Sequence, residues 1–177
     1  MNLNEFEKII NEAFEVKEKI NANSDKSIID AIKETIELTD QGKIRVAEKK
    51  EGSWIVNQWV KKAILLSFKI NKMEILSGPY TTWYDKVPGK SVNWKEEDWK
   101  KAGYRHVPNG VVRKGSFIAK NAVLMPCFIN LGAYVDEGTM IDTWASVGPV
   151  PRLEKIATFL EVLVSVVFLN LCKLDQL

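Results

Sequence analysis

Few residues in this 177-residue chain are equipped for chemistry, and their scarcity narrows the field. There is one histidine, His106, and there are two cysteines, Cys127 and Cys172, far apart in sequence. That set supplies neither the clustered nitrogen and sulfur ligands of a zinc site nor a disulfide framework. Arg105 stands beside His106, and Asp142 lies in the run Met-Ile-Asp-Thr-Trp. Read without context, Arg105 is the partner of a surface ion pair and Asp142 a turn residue. Asp136 and Glu137 form an acidic pair at a corner, expected to face solvent, with contact to a substrate as the lesser alternative. Lys61 and Lys62 flank a helical segment with no role beyond solubility. Spacing alone gives no catalytic constellation.

What holds these residues is easier to read. An apolar content of 46% is enough for a real core. The formal net charge is +2, from 25 basic and 23 acidic residues, which gives no reason to expect nucleic acid or an anionic membrane as partner. The start of the chain is acidic and amphipathic, without an apolar signal-peptide core, so a cytoplasmic setting is expected. Phe6, Ile9, Ile10, Ala13, Phe14 and Ile20 share one face of a helix over 4–20. A second helix, 25–41, starts after Ser24 and stops at Gly42. Segments 44–48 and 53–57 flank a hairpin turn, and 58–68 is helical again. Residues 70–92 read as irregular, with Gly78-Pro79 and Pro88-Gly89 as breakers. A short helix follows, with Asn93 as N-cap, Glu96 as capping-box partner and Gly103 beyond its end. The tryptophans of this part (54, 59, 83, 94 and 99) are assigned to core and interface packing.

After Tyr104 the pattern changes. Counting every sixth residue from Val111 gives Phe117, Val123, Ile129, Val135, Ile141 and Val147, all apolar. Gly115, Asn121, Cys127, Ala133, Thr139 and Ala145, two before each next apolar residue, are small or turn-tolerant. A period of six fits neither a helix nor a simple strand; it is the hexapeptide signature of a parallel β-helix. The fold class expected is α+β: an N-terminal mixed α/β domain over 1–103, then an incomplete left-handed parallel β-helix over 104–148. Hexapeptide coils also house zinc enzymes resembling carbonic anhydrase, which need several histidines, so one histidine excludes that route and no metal is expected.

The stretches 45–71, 84–88 and 103–148 closely resemble tetrahydrodipicolinate N-succinyltransferases, most specifically through GAYVDEGTMIDTWASVG at 132–148. The resemblance covers about residues 3–148. It implies a homotrimer of left-handed β-helices, with active sites between neighbouring subunits. It further implies transfer of a succinyl group from succinyl-CoA to the amino group of a hydrated, ring-opened dicarboxylate in lysine biosynthesis. Arg105 and Asp142 match the family's substrate-binding residues. An arginine fork suits a substrate carboxylate, and a carboxylate can orient the attacking amine and accept its proton. Asp142 is thus the expected catalytic residue, and both are expected to bind substrate. Two other readings stay open: an acetyl-CoA-dependent hexapeptide acyltransferase, and a non-catalytic trimeric β-helix binding module.

Residues 149–177 do not fit the family. They contain no glycine; Leu153 and Phe159 keep the six-residue register, and Ser165 breaks it. Codons permitted for Gly148–Lys155, re-read one base earlier, spell the family's S-C-A-Q-I-G-K. An out-of-frame tail after a single-nucleotide loss is therefore expected. Such a tail would leave the CoA side of the site missing and the chain with little or no activity. If translated, the apolar run from Ile156 to Cys172 is expected to be disordered or prone to aggregate, since Glu161 makes it a poor membrane span. Resequencing the gene across codons 148 and 149 checks this; an in-frame natural tail there overturns it.

Overall fold

The computed structural model describes residues 2–78 and 80–148 in full, together with the backbone of two short strands at 152–153 and 158–159. The remainder of the 149–177 segment, including the apolar run from Ile156, lies outside the described residues.

Three helices open the chain. Helix α1 (Leu3–Glu15) is capped reciprocally: Asn2 Oδ1 accepts from the Glu5 amide at 3.0 Å, and the Glu5 carboxylate accepts from the Asn2 amide at 2.8 Å. A separate 3-10 turn over Lys17–Lys19 completes the segment read as one helix to residue 20. Helix α2 (Lys26–Asp40) begins at Asp25 and is followed by Gly42 in a left-handed conformation, φ +71°. A side chain at Gly42 would also collide with the Phe117 ring, so this turn tolerates only glycine. Helix α3 (Gln58–Ile70) completes the bundle, and Phe6, Ile10, Ile32, Val60, Ala63 and Leu66 meet at its centre. Thr35 and Thr39 are buried in α2 because their hydroxyls donate back to the carbonyls of Ala31 and Thr35, at 2.7 and 2.8 Å.

Strands β1 (Ala47–Lys50) and β2 (Ser53–Val56) form the expected hairpin. The segment read as irregular contains a second one, β3 (Glu74–Ser77) with β4 (Thr82–Asp85). The Gly78 amide donates to the Thr81 carbonyl at 2.9 Å between the two strands, so this glycine marks the tip of a hairpin and not a structureless loop. Trp54 and Trp83 lie exposed on these two hairpins, whereas Trp59 is buried. Helix α4 (Glu96–Ala102) also departs from expectation. Its N-cap is Lys95, whose amide donates to Asp98 at 2.9 Å, and Asn93 is drawn into a left-handed turn at φ +70°.

From Tyr104 the chain lays down two-residue strands: β5 (Arg105–His106), β6 (Val111–Val112), β7 (Phe117–Ile118), β8 (Val123–Leu124), β9 (Phe128–Ile129), β10 (Tyr134–Val135), β11 (Met140–Ile141), β12 (Ser146–Val147), β13 (Arg152–Leu153) and β14 (Thr158–Phe159). Every third strand pairs in parallel, giving three sheets: β5-β8-β11-β14, β6-β9-β12 and β7-β10-β13. The result is a three-sided coil, each strand lying on the one a full turn earlier. The backbone of Leu153 pairs with Val135 and that of Phe159 with Ile141, so the register reaches both strands beyond Gly148.

The inward register differs from the sequence count. The buried residues are Val112, Ile118 and Leu124 in the first turn, then Ile129, Val135, Ile141 and Val147. Val111, Phe117 and Val123 are the outward members of their pairs, Val111 being 45% exposed. Both residues of each early pair are apolar (VV, FI, VL), so a count begun one residue early still met apolar residues throughout. The mismatch is absorbed between Leu124 and Ile129, a five-residue side. Elsewhere a residue with positive φ turns the corner (Gly115, Asn121, Gly132, Gly138); Pro126 occupies this one, and its ring forbids positive φ. From Ile118 onward the residue two before each inward position is small and buried: Ser116, Ala122, Cys127, Ala133, Thr139 and Ala145. Burial pushes the Cys127 thiol up to about 12, which makes it a packing residue and not a nucleophile. A paired substitution tests the register by urea unfolding. Val112→Ala is expected to destabilise by about 2 kcal/mol, and Val111→Ala by less than about 1 kcal/mol.

Candidate functional site

Arg105 is the outward residue of β5, and its guanidinium has no partner among the described residues. Asp142 is the first residue after β11, half-buried, with one carboxylate oxygen accepting from the Thr143 amide at 2.7 Å and its carbonyl accepting from the Ala145 amide at 3.1 Å. Both belong to the β5-β8-β11-β14 face. Arg105 is in register with Val123, and Val123 with Met140, so the cation and the carboxylate stand two rungs apart. At roughly 4.8 Å per rung that is about 10 Å along the coil. The two candidate residues are thus brought to one face without touching. Val123 and Met140, outward and half-buried, fill the interval with apolar surface. A cationic fork at one end, a fixed carboxylate at the other and an apolar strip between them suit a small molecule with an acid group, a carbon skeleton and a polar nitrogen or oxygen.

The remaining candidates go elsewhere. His106 points into the end of the coil, packed against Trp99 and Tyr104, with ring centroids 5.9 and 6.5 Å away. Its Nε2 is buried without a hydrogen-bond partner, and burial lowers its pKa, so it is a wall residue held neutral. Lys62 donates to Asn11 at 2.8 Å and lies over the Phe14 ring, which ties α3 to α1. Asp136 accepts from the Glu137 amide at 2.9 Å, and Glu137 accepts from Asn121 at 3.4 Å. This pair sits at the opposite edge of the Arg105 face, lining a cleft of about 610 Å³ shared with Asp40, Lys90, Lys120 and Tyr134. Among the described residues, no group of three or more His, Cys, Asp or Glu side chains could hold a metal, and no helix is long and apolar enough to cross a membrane.

The wall of that cleft is where the helical part grips the coil. Lys90 Nζ meets the Asp40 carboxylate at 2.7 Å, with only 7% and 16% of their side chains exposed. The other Asp40 oxygen accepts from the Gly115 amide at 2.6 Å, at a corner where φ is +87° and Leu131 leaves no room for a side chain. Burial lowers the Lys90 pKa even with Asp40 opposing it. Arg45 reinforces the grip. Its guanidinium carbon lies 3.8 Å from the Tyr134 ring centroid, it donates to the Tyr134 hydroxyl at 2.7 Å, and Tyr134 stacks on Phe117 at 4.8 Å. Sequence reading passed over Asp40, Lys90 and Arg45, because their partners lie dozens of residues away and no local pattern marks them.

Comparison with known proteins places this geometry in context. A family described as tetrahydrodipicolinate N-succinyltransferase N-terminal matches residues 5–70. A Pelagibacter ubique protein named 2,3,4,5-tetrahydropyridine-2,6-dicarboxylate N-succinyltransferase is 64% identical over 138 residues, covering 76% of this chain and 50% of the relative. Proteins of the same name from Parvibaculum lavamentivorans and Bradyrhizobium diazoefficiens are each 48% identical over 158 residues, covering 88% of this chain and 56% of the relative. That share takes the similarity past Gly148. The chain spans about half the length of the curated relatives it matches.

The Asp40 grip makes a prediction for stability. Asp40→Ala leaves the buried Lys90 ammonium with the residue-40 carbonyl but no contacting carboxylate, and is expected to cost about 3 kcal/mol in urea unfolding. Adding Lys90→Met to Asp40→Ala is expected to recover part of that loss.

Proposed function

We propose, for a chain that resembles the tetrahydrodipicolinate N-succinyltransferases in its helical domain and in its coil, that the Arg105–Asp142 face is the acyl-acceptor side of such an enzyme. The acceptor is a small dicarboxylate carrying an amino group, the hydrated and ring-opened form of tetrahydrodipicolinate. Arg105 clamps one of its carboxylates with parallel N–H donors. Asp142, pinned by the Thr143 amide, receives a hydrogen bond from the amino group and directs its lone pair at the thioester of succinyl-CoA. The nitrogen attacks the thioester carbonyl, the new C–N bond forms, and the C–S bond breaks. The amine's proton passes to Asp142 and then to the departing thiolate, leaving an N-succinyl amide and free CoA.

The coil is read here as left-handed, and the assembly as a cytoplasmic homotrimer with each site between two coils. What supports a site between two coils is the open face itself: Arg105 is exposed and has no partner among the described residues, and a second surface is needed to exclude water from the reaction. The observation that carries the proposal is the two-rung separation of an unpaired arginine and an oriented carboxylate across an apolar strip.

Calorimetric titration tests the acceptor side without requiring turnover. Pimelate, a seven-carbon dicarboxylate, and 2-aminopimelate are both expected to bind. Arg105→Ala should weaken both by about tenfold or more, the worth of a charge-assisted hydrogen-bond pair. Asp142→Asn should weaken 2-aminopimelate and leave pimelate within about twofold, because only the former presents an amine to the carboxylate. Equal binding of both ligands by Arg105→Ala and wild type would sink the assignment.

A further inference from the structure

We infer that Trp144 is a specificity-determining residue of the acceptor site, its indole forming the flat wall against which the carbon skeleton of the dicarboxylate packs. The inference rests on the acceptor-site reading above and adds a residue to it.

The observation is a mismatch between residue type and backbone. Among the described corners of the coil, the left-handed position is held by Asn109, Gly115, Asn121, Gly132 and Gly138, and then by Trp144 at φ +63°. Glycine and asparagine enter that region readily, whereas a large aromatic side chain does not. Core packing does not compensate, because Trp144 is 73% exposed, the most exposed of the large apolar residues among those described. A strained conformation that nothing inside the fold requires points to a use outside it.

The corner is also rigid. The Trp144 amide donates to the Pro126 carbonyl at 2.7 Å, and the Ala145 amide to the Asp142 carbonyl at 3.1 Å. Ile141 before it and Ala145 after it are buried in the coil. One turn therefore fixes both the Asp142 carboxylate and the Trp144 backbone, two residues apart. The rung beneath is the five-residue side at Pro126. The two departures from the hexapeptide rule are thus stacked on one edge, beside the proposed acceptor face. An exposed indole there offers flat apolar area with little rotamer freedom to lose, which suits a ligand whose polar groups are taken by Arg105 and Asp142 and whose methylenes have Val123 and Met140 on one side only.

Replacement by residues that prefer the left-handed region separates a binding role from a structural one. Trp144→Asn and Trp144→Gly are expected to keep or raise the melting temperature of the full chain, and to weaken pimelate binding by about tenfold. Trp144→Phe, which keeps a ring, should stay within about threefold of wild type for pimelate. Glutarate, two methylenes shorter, should bind wild type more weakly than pimelate, and that preference should shrink in Trp144→Asn. Unchanged pimelate affinity in the Asn and Gly variants, or a lowered melting temperature in both, overturns the inference and leaves the Arg105–Asp142 reading standing. Failure of wild type to bind pimelate at all overturns the reading and this inference together.

Discussion

The hydrogen bonds between successive rungs govern everything else in the coil. Each two-residue strand is fixed on the one a turn earlier, so residues at equivalent positions form columns and cannot slide independently. The column His106, Leu124, Ile141 runs inward, and the column Arg105, Val123, Met140 runs outward along the same sheet. A triangular interior filled by one large and one small side chain per side has no space left for a ligand. Chemistry on such a scaffold is therefore confined to outward columns and corners, where Arg105 and Asp142 stand.

A stack of rungs has to be closed at its end and held at its side. At the first rung the small inward residue is replaced by Tyr104, and His106 takes the large position; Trp94 and Trp99 pack beneath them, with Trp94 and Trp99 at 4.8 Å and Trp99 and Tyr104 at 5.7 Å. The plug retains two buried polar atoms without partners, the Tyr104 hydroxyl and His106 Nε2. Burial raises the pKa of the first and lowers that of the second, so both are neutral near pH 7 and the plug carries no charge. Along the side, the helical domain covers the β7-β10-β13 sheet through Arg45 on Tyr134 and through Asp40 on Lys90 and Gly115. That grip leaves the Arg105 face open. The placement of the helical domain thus removes one of the three faces and leaves the outward columns of the other two exposed, among them Arg105 and Val111.

The helices and the six-residue period were legible in the sequence because each is a local repetition of residue type. Asn2 with Glu5, and Gly42 after α2, follow rules that operate within a few residues. The inward register was not legible over the first turn, since Val111-Val112, Phe117-Ile118 and Val123-Leu124 present two apolar residues where one is needed. Only pairing with the next rung decides which of the two turns inward, and that is a contact across 17 positions. The β3-β4 hairpin was missed for a related reason. Its strands hold Glu74, Ser77, Thr82 and Asp85 and expose Ile75 and Tyr84, so no buried face imposes an alternation. For the site, residue resemblance named Arg105 and Asp142, but the apolar strip between them exists only once the rungs are stacked.

Irregularities in a repeat carry more information than the repeat. A side chain forced into the left-handed region costs about 1–2 kcal/mol where glycine would cost little. A proline at a corner removes the option of positive φ and here shortens the side by one residue. If these were unrelated accidents, nothing would bring them to the same edge. Instead the Trp144 amide bonds directly to the Pro126 carbonyl, and both lie on the edge where Asp142 ends the β11 strand. The shortened side also moves the later rungs back by one residue relative to the first. A full 18-residue turn would put Asp142 in the inward column of His106 and Leu124; the 17-residue turn puts it in the outward column of Val107 and Met125. Arg105 is thereby set two residues before the carboxylate's column position, diagonally across the strip, so a ligand spanning the pair must cross Val123 and Met140 obliquely. The five-residue side at Pro126 and the left-handed Trp144 therefore both fall on the edge that carries the Asp142 carboxylate.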